Sequence, residues 1–85
     1  MSLPHAPQRA LGRAIRQLRT EAGQTQEDVA HAAGITTASL SRIEVGSRNP
    51  TWGTVKSIAT GLGRTLTEVA ALSEELELRE RRRRS

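Results

Sequence analysis

The apolar side chains fall into five groups with helical spacing. Leu11, Ile15 and Leu18 line one face of a segment over residues 8–22; Val29, Ala30 and Ala33 do the same over 26–33, and Leu40 and Ile43 over 37–45. Val55, Ile58, Ala59 and Leu62 mark a fourth segment, 52–62, and Leu66, Val69, Leu72 and Leu76 a fifth, from 66 to 78 or beyond. Gly23, Gly34, Gly46 and Gly63 follow the first four segments, as expected of residues just past a helix end. Threonines precede the next starts. Thr25 and Thr65 each have a carboxylate three residues on, Asp28 and Glu68, as in a capping box, while Thr36 and Thr51 read as plain N-caps. No stretch alternates with period two. The pattern predicts an all-α chain, a compact five-helix bundle with loops of two to five residues. Its domain covers residues 8–78, between a flexible N-terminal tail, 1–7, and a basic flexible tail, 79–85.

At 85 residues such a bundle has a thin core and little stability in reserve. Gly12, Gly53 and Gly61 fall inside helices, where each costs roughly 1 kcal/mol against alanine unless close backbone packing compensates. Dimerisation is another source of burial.

Charge and chemistry narrow the function. The formal net charge is +4, and it belongs to the first three-quarters of the chain. Arg9, Arg13, Arg16, Arg19, Arg42, Arg48, Lys56 and Arg64 there oppose only Glu21, Glu27, Asp28 and Glu44. Beyond residue 64 the charges balance. A polyanion is the class of partner this implies. Cysteine is absent, and His5 and His31 match no metal-ligand spacing, so no thiolate site, metal site or other cofactor is expected. Trp52 is the one aromatic, which excludes a base-stacking platform. No apolar run approaches the ~18–20 residues of a membrane span. Residues 1–8 carry Pro4 and Pro7 and lack the apolar stretch of a signal peptide, so a cytoplasmic protein is expected.

The informative stretch is residues 25–48: a short helix, a turn containing Gly34, and a second short helix. This is a helix-turn-helix arrangement, whose second helix can lie in the DNA major groove. With Leu40 and Ile43 inward, Ala38, Ser41, Arg42 and Val45 face outward and Thr37 leads. The face is slim, and hydroxyls and a guanidinium on it can reach base edges. On spacing alone, a solvated helix face poor in charge is an equal reading.

Several motifs decide between them. Gln26-Glu27-Asp28-Val29-Ala30, Ala33-Gly34-Ile35-Thr36, Leu40-Ser41-Arg42-Ile43-Glu44-Val45-Gly46 and Arg48-Asn49-Pro50-Thr51 together resemble the Cro/phage-repressor, or XRE, family. The match extends upstream through Leu11-Gly12-Arg13-Ala14-Ile15-Arg16-Gln17-Leu18-Arg19 and downstream to Leu62-Gly63 and Leu66. The resemblance implies a lambda-repressor-like bundle that binds a double-stranded DNA operator, usually as a homodimer, in a bacterium or its mobile elements. It places Thr36, Thr37, Ala38, Ser41 and Arg42 at base-reading positions, with Arg42 suited to a guanine. Thr37 and Ala38 replace glutamines found there in some phage repressors. Gln26, Ser47, Arg48, Asn49 and Thr51 take phosphate-contacting positions, and Gln26 also braces the recognition helix. Arg19 and Glu44 match a partly buried salt bridge between the first and third helices. Arg9, Arg13 and Arg16 read as a solvated cationic stripe.

The fifth helix offers a seam for a second copy. Leu72 and Leu76, joined by Val69 and Trp52, are expected to form it; the competing reading is that residues 66–72 only cap the monomer core. A different class of function also fits, an antitoxin-like protein that mainly binds a protein partner such as a toxin or an effector-bearing chain. Enzyme activity is the weakest reading, because no nucleophile–base pattern, paired acid/base constellation or phosphate-binding glycine loop is present.

Overall fold

A computed structural model describes residues 6–84. It contains five helices: α1 (Ala6–Glu21), α2 (Gln26–Ala33), α3 (Thr37–Glu44), α4 (Trp52–Gly61) and α5 (Leu66–Arg84). No strand occurs among the described residues. The caps explain the divisions. Thr25 Oγ1 accepts from the amide of Asp28 at 3.0 Å while the Asp28 carboxylate accepts from the amide of Thr25, and Thr65 and Glu68 repeat the exchange at the start of α5. Thr36 and Thr51 accept from the amides of Ser39 and Thr54.

The ends of α1, α3 and α4 fall one residue earlier than the sequence pattern sets them, and three departures are larger. Helix α1 begins at Ala6, because proline is tolerated in a first turn and Pro7 fits there; residues 1–5 lie outside the described residues. The connection from α3 to α4 runs from 45 to 51, longer than the expected loops. The largest difference is at the other end. Residues 79–84, expected to be a flexible tail, are the last turns of α5; Ser85 lies outside the described residues. Glu75–Arg79 and Glu77–Arg81 ion pairs one turn apart support this extension, and cationic residues suit a helix C-terminus.

The main core joins Ile15 and Leu18 of α1, Val29 and Ala30 of α2, Leu40 and Ile43 of α3, Val55, Ile58 and Ala59 of α4, Leu62 and Val69. A smaller apolar cluster joins Ala10 and Ala14 of α1 to Leu76 of α5, with Leu72 packed against both clusters. Gly12 lies where α1 crosses α3. A Cβ on it would stand 2.2 Å from the carbonyl oxygen of Ile43 and 2.5 Å from that of Glu44, so the close crossing requires glycine. Gly61 has Ala32 at contact distance, whereas Gly53 has open space around it. Close packing thus accounts for two of the three helical glycines.

Candidate nucleic-acid interface

The turn between α2 and α3 is built from Gly34, Ile35 and Thr36. Gly34 takes a left-handed backbone with φ 73°, and the Ile35 amide returns to the carbonyl of Ala30 at 3.0 Å. The Ile35 side chain packs on the core, and Thr36 then opens α3.

What fixes the angle between the two helices is Glu44. Its carboxylate is buried, with 2% of the side chain exposed, and it accepts three hydrogen bonds. Arg19 donates through Nε at 2.7 Å and Nη2 at 3.0 Å, and Gln26 donates through Nε2 at 2.9 Å. Arg19 donates a further bond to the carbonyl of Gln24 at 3.0 Å. The hydrogen bonds to Glu44 push the Arg19 guanidinium above its ordinary, already basic value, against the opposing effect of burial. One carboxylate thereby ties the last turn of α3 to α1 and to the first residue of α2. A bidentate guanidinium and a third donor satisfy a charge that would be costly to bury alone.

The outer surface of α3 is open. Thr36, Thr37, Ala38 and Arg42 are exposed, Ser41 is half-buried, and Val45 is 65% exposed just past the helix end. Ser47, Arg48, Asn49 and Thr51 are exposed along the following loop. That loop is tied back onto α3. Ser47 Oγ donates to the carbonyl of Arg42 at 3.3 Å, and Arg48 Nη1 donates to Ser39 Oγ at 3.1 Å. A pocket of about 100 Å³ lies between the loop and the helices, lined by Ser39, Arg48, Asn49, Thr51 and Thr54 over a floor of Ile35 and Ile43. The α4 N-terminus, capped by Thr51, lies beside it, and Arg48 is held on the same side by Ser39 of α3.

The sequence pattern missed two residues at this stage. Ser39 holds Arg48, a tertiary contact with no periodic signal. Glu80 takes Arg9 and Arg13, at 3.1 Å for the latter, so those two arginines are not simply solvated. Here a signal existed: Leu72, Leu76 and Glu80 follow one another at intervals of four, along one face of α5.

The expected dimer residues need correction. Val69 is fully buried in the main core and Leu76 is 4% exposed against Ala10 and Ala14, so neither is available to a second copy. The small side chains at Ala10 and Ala14 let α5 sit close to α1, and the leucine fills that contact. Leu72 is half-buried between the clusters. Trp52 behaves differently: 73% exposed, it borders an open, mostly apolar groove of about 230 Å³ with Leu11, Leu66, Ala70 and Ser73. Among the described residues, no group of three or more His, Asp or Glu is placed to hold a metal ion, and no helix is long and apolar enough to cross a membrane.

Comparison with known proteins agrees with this geometry. Residues 10–72 match the model of the helix-turn-helix domain family. The chain is 37% identical over 65 residues to the HTH-type transcriptional regulator y4dJ of Sinorhizobium fredii, a match covering 76% of this chain and 84% of that protein. Among solved structures it is similar to the restriction-modification controller protein C.AhdI from Aeromonas hydrophila, with 30% identity, TM-score 0.70, and coverage of 72% of this chain and 92% of that one. It is also similar to the controller protein C.Esp1396I, with 28% identity, TM-score 0.79, and coverage of 85% and 95%. The latter has been solved as a tetramer in complex with its natural 35 base-pair operator. The chain belongs to the helix-turn-helix domain family, as a member of its Cro/phage-repressor, or XRE, type of transcriptional regulator, a family of regulators and not of enzymes.

Proposed function

We propose that the protein is a sequence-specific DNA-binding transcriptional regulator that places α3 in the major groove of a two-fold operator as a homodimer. The observation that carries this reading is the outer face of α3: small or hydroxyl-bearing at Thr37, Ala38 and Ser41, cationic at Arg42, and held at a fixed angle by the Glu44 brace. Thr36, Thr37, Ala38, Ser41 and Arg42 read bases. Arg42 is the one long donor, suited to bidentate contact with guanine O6 and N7. Ser47, Arg48, Asn49 and Thr51 hold the flanking phosphates, Arg48 being presented by Ser39. Gln26 acts chiefly as the brace on Glu44, and its position at the α2 N-terminus also suits a phosphate. The operator complex known for C.Esp1396I supports DNA as the ligand.

The second copy docks on the groove beside Trp52, with the outer edge of Leu72. Two recognition helices about one DNA turn apart, ~34 Å, then read two half-sites.

Selection of bound fragments from random duplex DNA tests the reading, and a two-fold consensus is the expected result. On that consensus, Arg42→Ala lowers affinity by about 1–3 kcal/mol and relaxes preference at one position. Arg48→Ala weakens binding to all sequences alike and makes the salt dependence shallower. Equal losses on consensus and random DNA for both variants remove Arg42 from base reading. Sedimentation of the unaltered chain and of Trp52→Glu tests the seam, with dimer and monomer expected in turn.

A further inference from the structure

We infer that the cationic end of α5 is a second DNA-backbone contact, held rigidly beside the loop that follows the recognition helix. The inference rests on the reading of α3 given above.

Helix α5 packs on α1 more extensively than any other two helices pack on each other among the described residues. Leu66 and Val69 lie near Leu11, Leu76 packs on Ala10 and Ala14, and Glu80 receives Arg9 and Arg13. Arg9 faces two ways. Its head meets Glu80, and its stem lies on Gly46, whose missing Cβ would stand 2.6 Å from Arg9 Cγ and 3.1 Å from Arg9 Cα. Gly46 has φ 81° and immediately precedes Ser47, Arg48 and Asn49. A single side chain therefore bridges the end of α5 and the loop assigned to phosphates. Arg83 lies three residues past Glu80, about 4.5 Å further along the helix axis at 1.5 Å per residue.

The charge pattern at this end also calls for a partner. Three carboxylates of α5 are matched within the helix or across it: Glu75 with Arg79, Glu77 with Arg81, and Glu80 with α1. Arg82 and Arg83 follow, both exposed. One or two cations in the last turn suit the helix dipole, but a run of adjacent cations repels itself. A polyanion relieves that repulsion and gains from charges already ordered by the helix. An acidic protein surface shares the chemistry, but the connection through Arg9 to the Ser47–Arg48–Asn49 loop favours DNA phosphates flanking the half-site.

The test is binding of the whole chain, unaltered and as Arg82→Gln/Arg83→Gln, to random-sequence duplexes and to its selected consensus over a range of salt. Fluorescence anisotropy reads the binding, and circular dichroism confirms retained helix. The double substitution is expected to make the slope of log affinity against log salt shallower by about 2 for each bound protomer, about 4 for the dimer, with affinity falling at least on the order of tenfold at moderate salt. Preference among sequences stays unchanged, and the loss shrinks when the duplex is trimmed to the half-sites. Arg82→Lys/Arg83→Lys keeps the slope, since phosphates read charge. An unaltered slope in a chain that binds its consensus overturns the contact and leaves the α3 reading standing. Failure of the unaltered chain to bind any duplex overturns both. Loss of binding to polyglutamate with duplex binding intact assigns the surface to an acidic protein and also overturns the contact.

Discussion

Helix α1 is held on two sides by ion pairs, and the two sides differ in almost every physical respect. Toward α3, Arg19 meets Glu44 with 12% and 2% of their side chains exposed, next to the glycine that lets the backbones touch. Toward α5, Arg9 and Arg13 meet Glu80 with 43%, 49% and 26% exposed, next to a leucine resting on two alanines. The first seam excludes water and admits one geometry, so it suits the fixed angle that a groove-reading helix needs. The second keeps its charges in water, where an ion pair contributes little, and leaves Leu76 to supply the adhesion. The seam that orients α3 is therefore the brittle one, and the seam that holds the α5 extension is the tolerant one.

The largest expected effect breaks the brittle seam. Glu44→Ala strands Arg19 and Gln26 and is expected to cost about 3–5 kcal/mol of stability, a large fraction of what a small domain possesses. Arg19→Ala behaves similarly by stranding Glu44, and the double substitution costs less than the sum. Urea or thermal melts of the four proteins measure the coupling. Strict additivity would show that the pair does not interact.

Next is Gly12→Ala. The added carbon meets two α3 carbonyl oxygens rather than a movable side chain, so α3 must shift, at a cost of about 1–3 kcal/mol. Because the shift moves the recognition helix, loss of operator affinity beyond the loss of folded protein is the sharper readout. Gly53→Ala serves as the control: open space surrounds Gly53, and removing a helical glycine is expected to stabilise by up to about 1 kcal/mol. Equal melting curves for the two alanine variants would mean that the α1–α3 crossing is not tight.

These residues also show where sequence reading succeeds. Helix number, caps and most of the main core were legible because each follows from local spacing: Thr25 with Asp28, or Ile15 with Leu18. Glu44 with Arg19 was legible only through the family resemblance, which matches the two to a salt bridge between the first and third helices. Leu76 was not legible. The pattern reports that a leucine is on an apolar stripe, not whether α1 or another molecule covers it, and Ala10 and Ala14 carry too little hydrophobic signal to announce the contact. The end of α5 was misread for a related reason. A run of arginines reads as a tail by composition, whereas its helicity depends on pairs one turn apart and on Glu80 docking against α1.

On the tolerant seam the expected effect is small. Glu80→Gln removes an ion-paired carboxylate in contact with water and is expected to cost less than about 1 kcal/mol, with most of that lost again by adding salt to the unaltered protein. A double variant with Glu44→Ala should be additive, because the two seams share no side chain. Melts at low and high salt check both statements. A cost as large as that of Glu44→Ala would place both seams in the same class.

The smallest effects lie off both seams, at the starts of the helices that they hold. The Thr25 amide holds the Asp28 carboxyl below its ordinary 3.8, and the Thr65 amide holds that of Glu68 below its ordinary 4.5. Both shifts are downward, so the unfolded chain takes up these protons first as pH falls. The caps therefore contribute fully above the ordinary carboxylate range and lose their contribution as pH drops through the lowered values. Asp28→Asn with Glu68→Gln is expected to lower the melting temperature slightly at neutral pH and to flatten its fall between about pH 5 and pH 2. Curves that stay parallel over that range would show that neither cap contributes to acid unfolding.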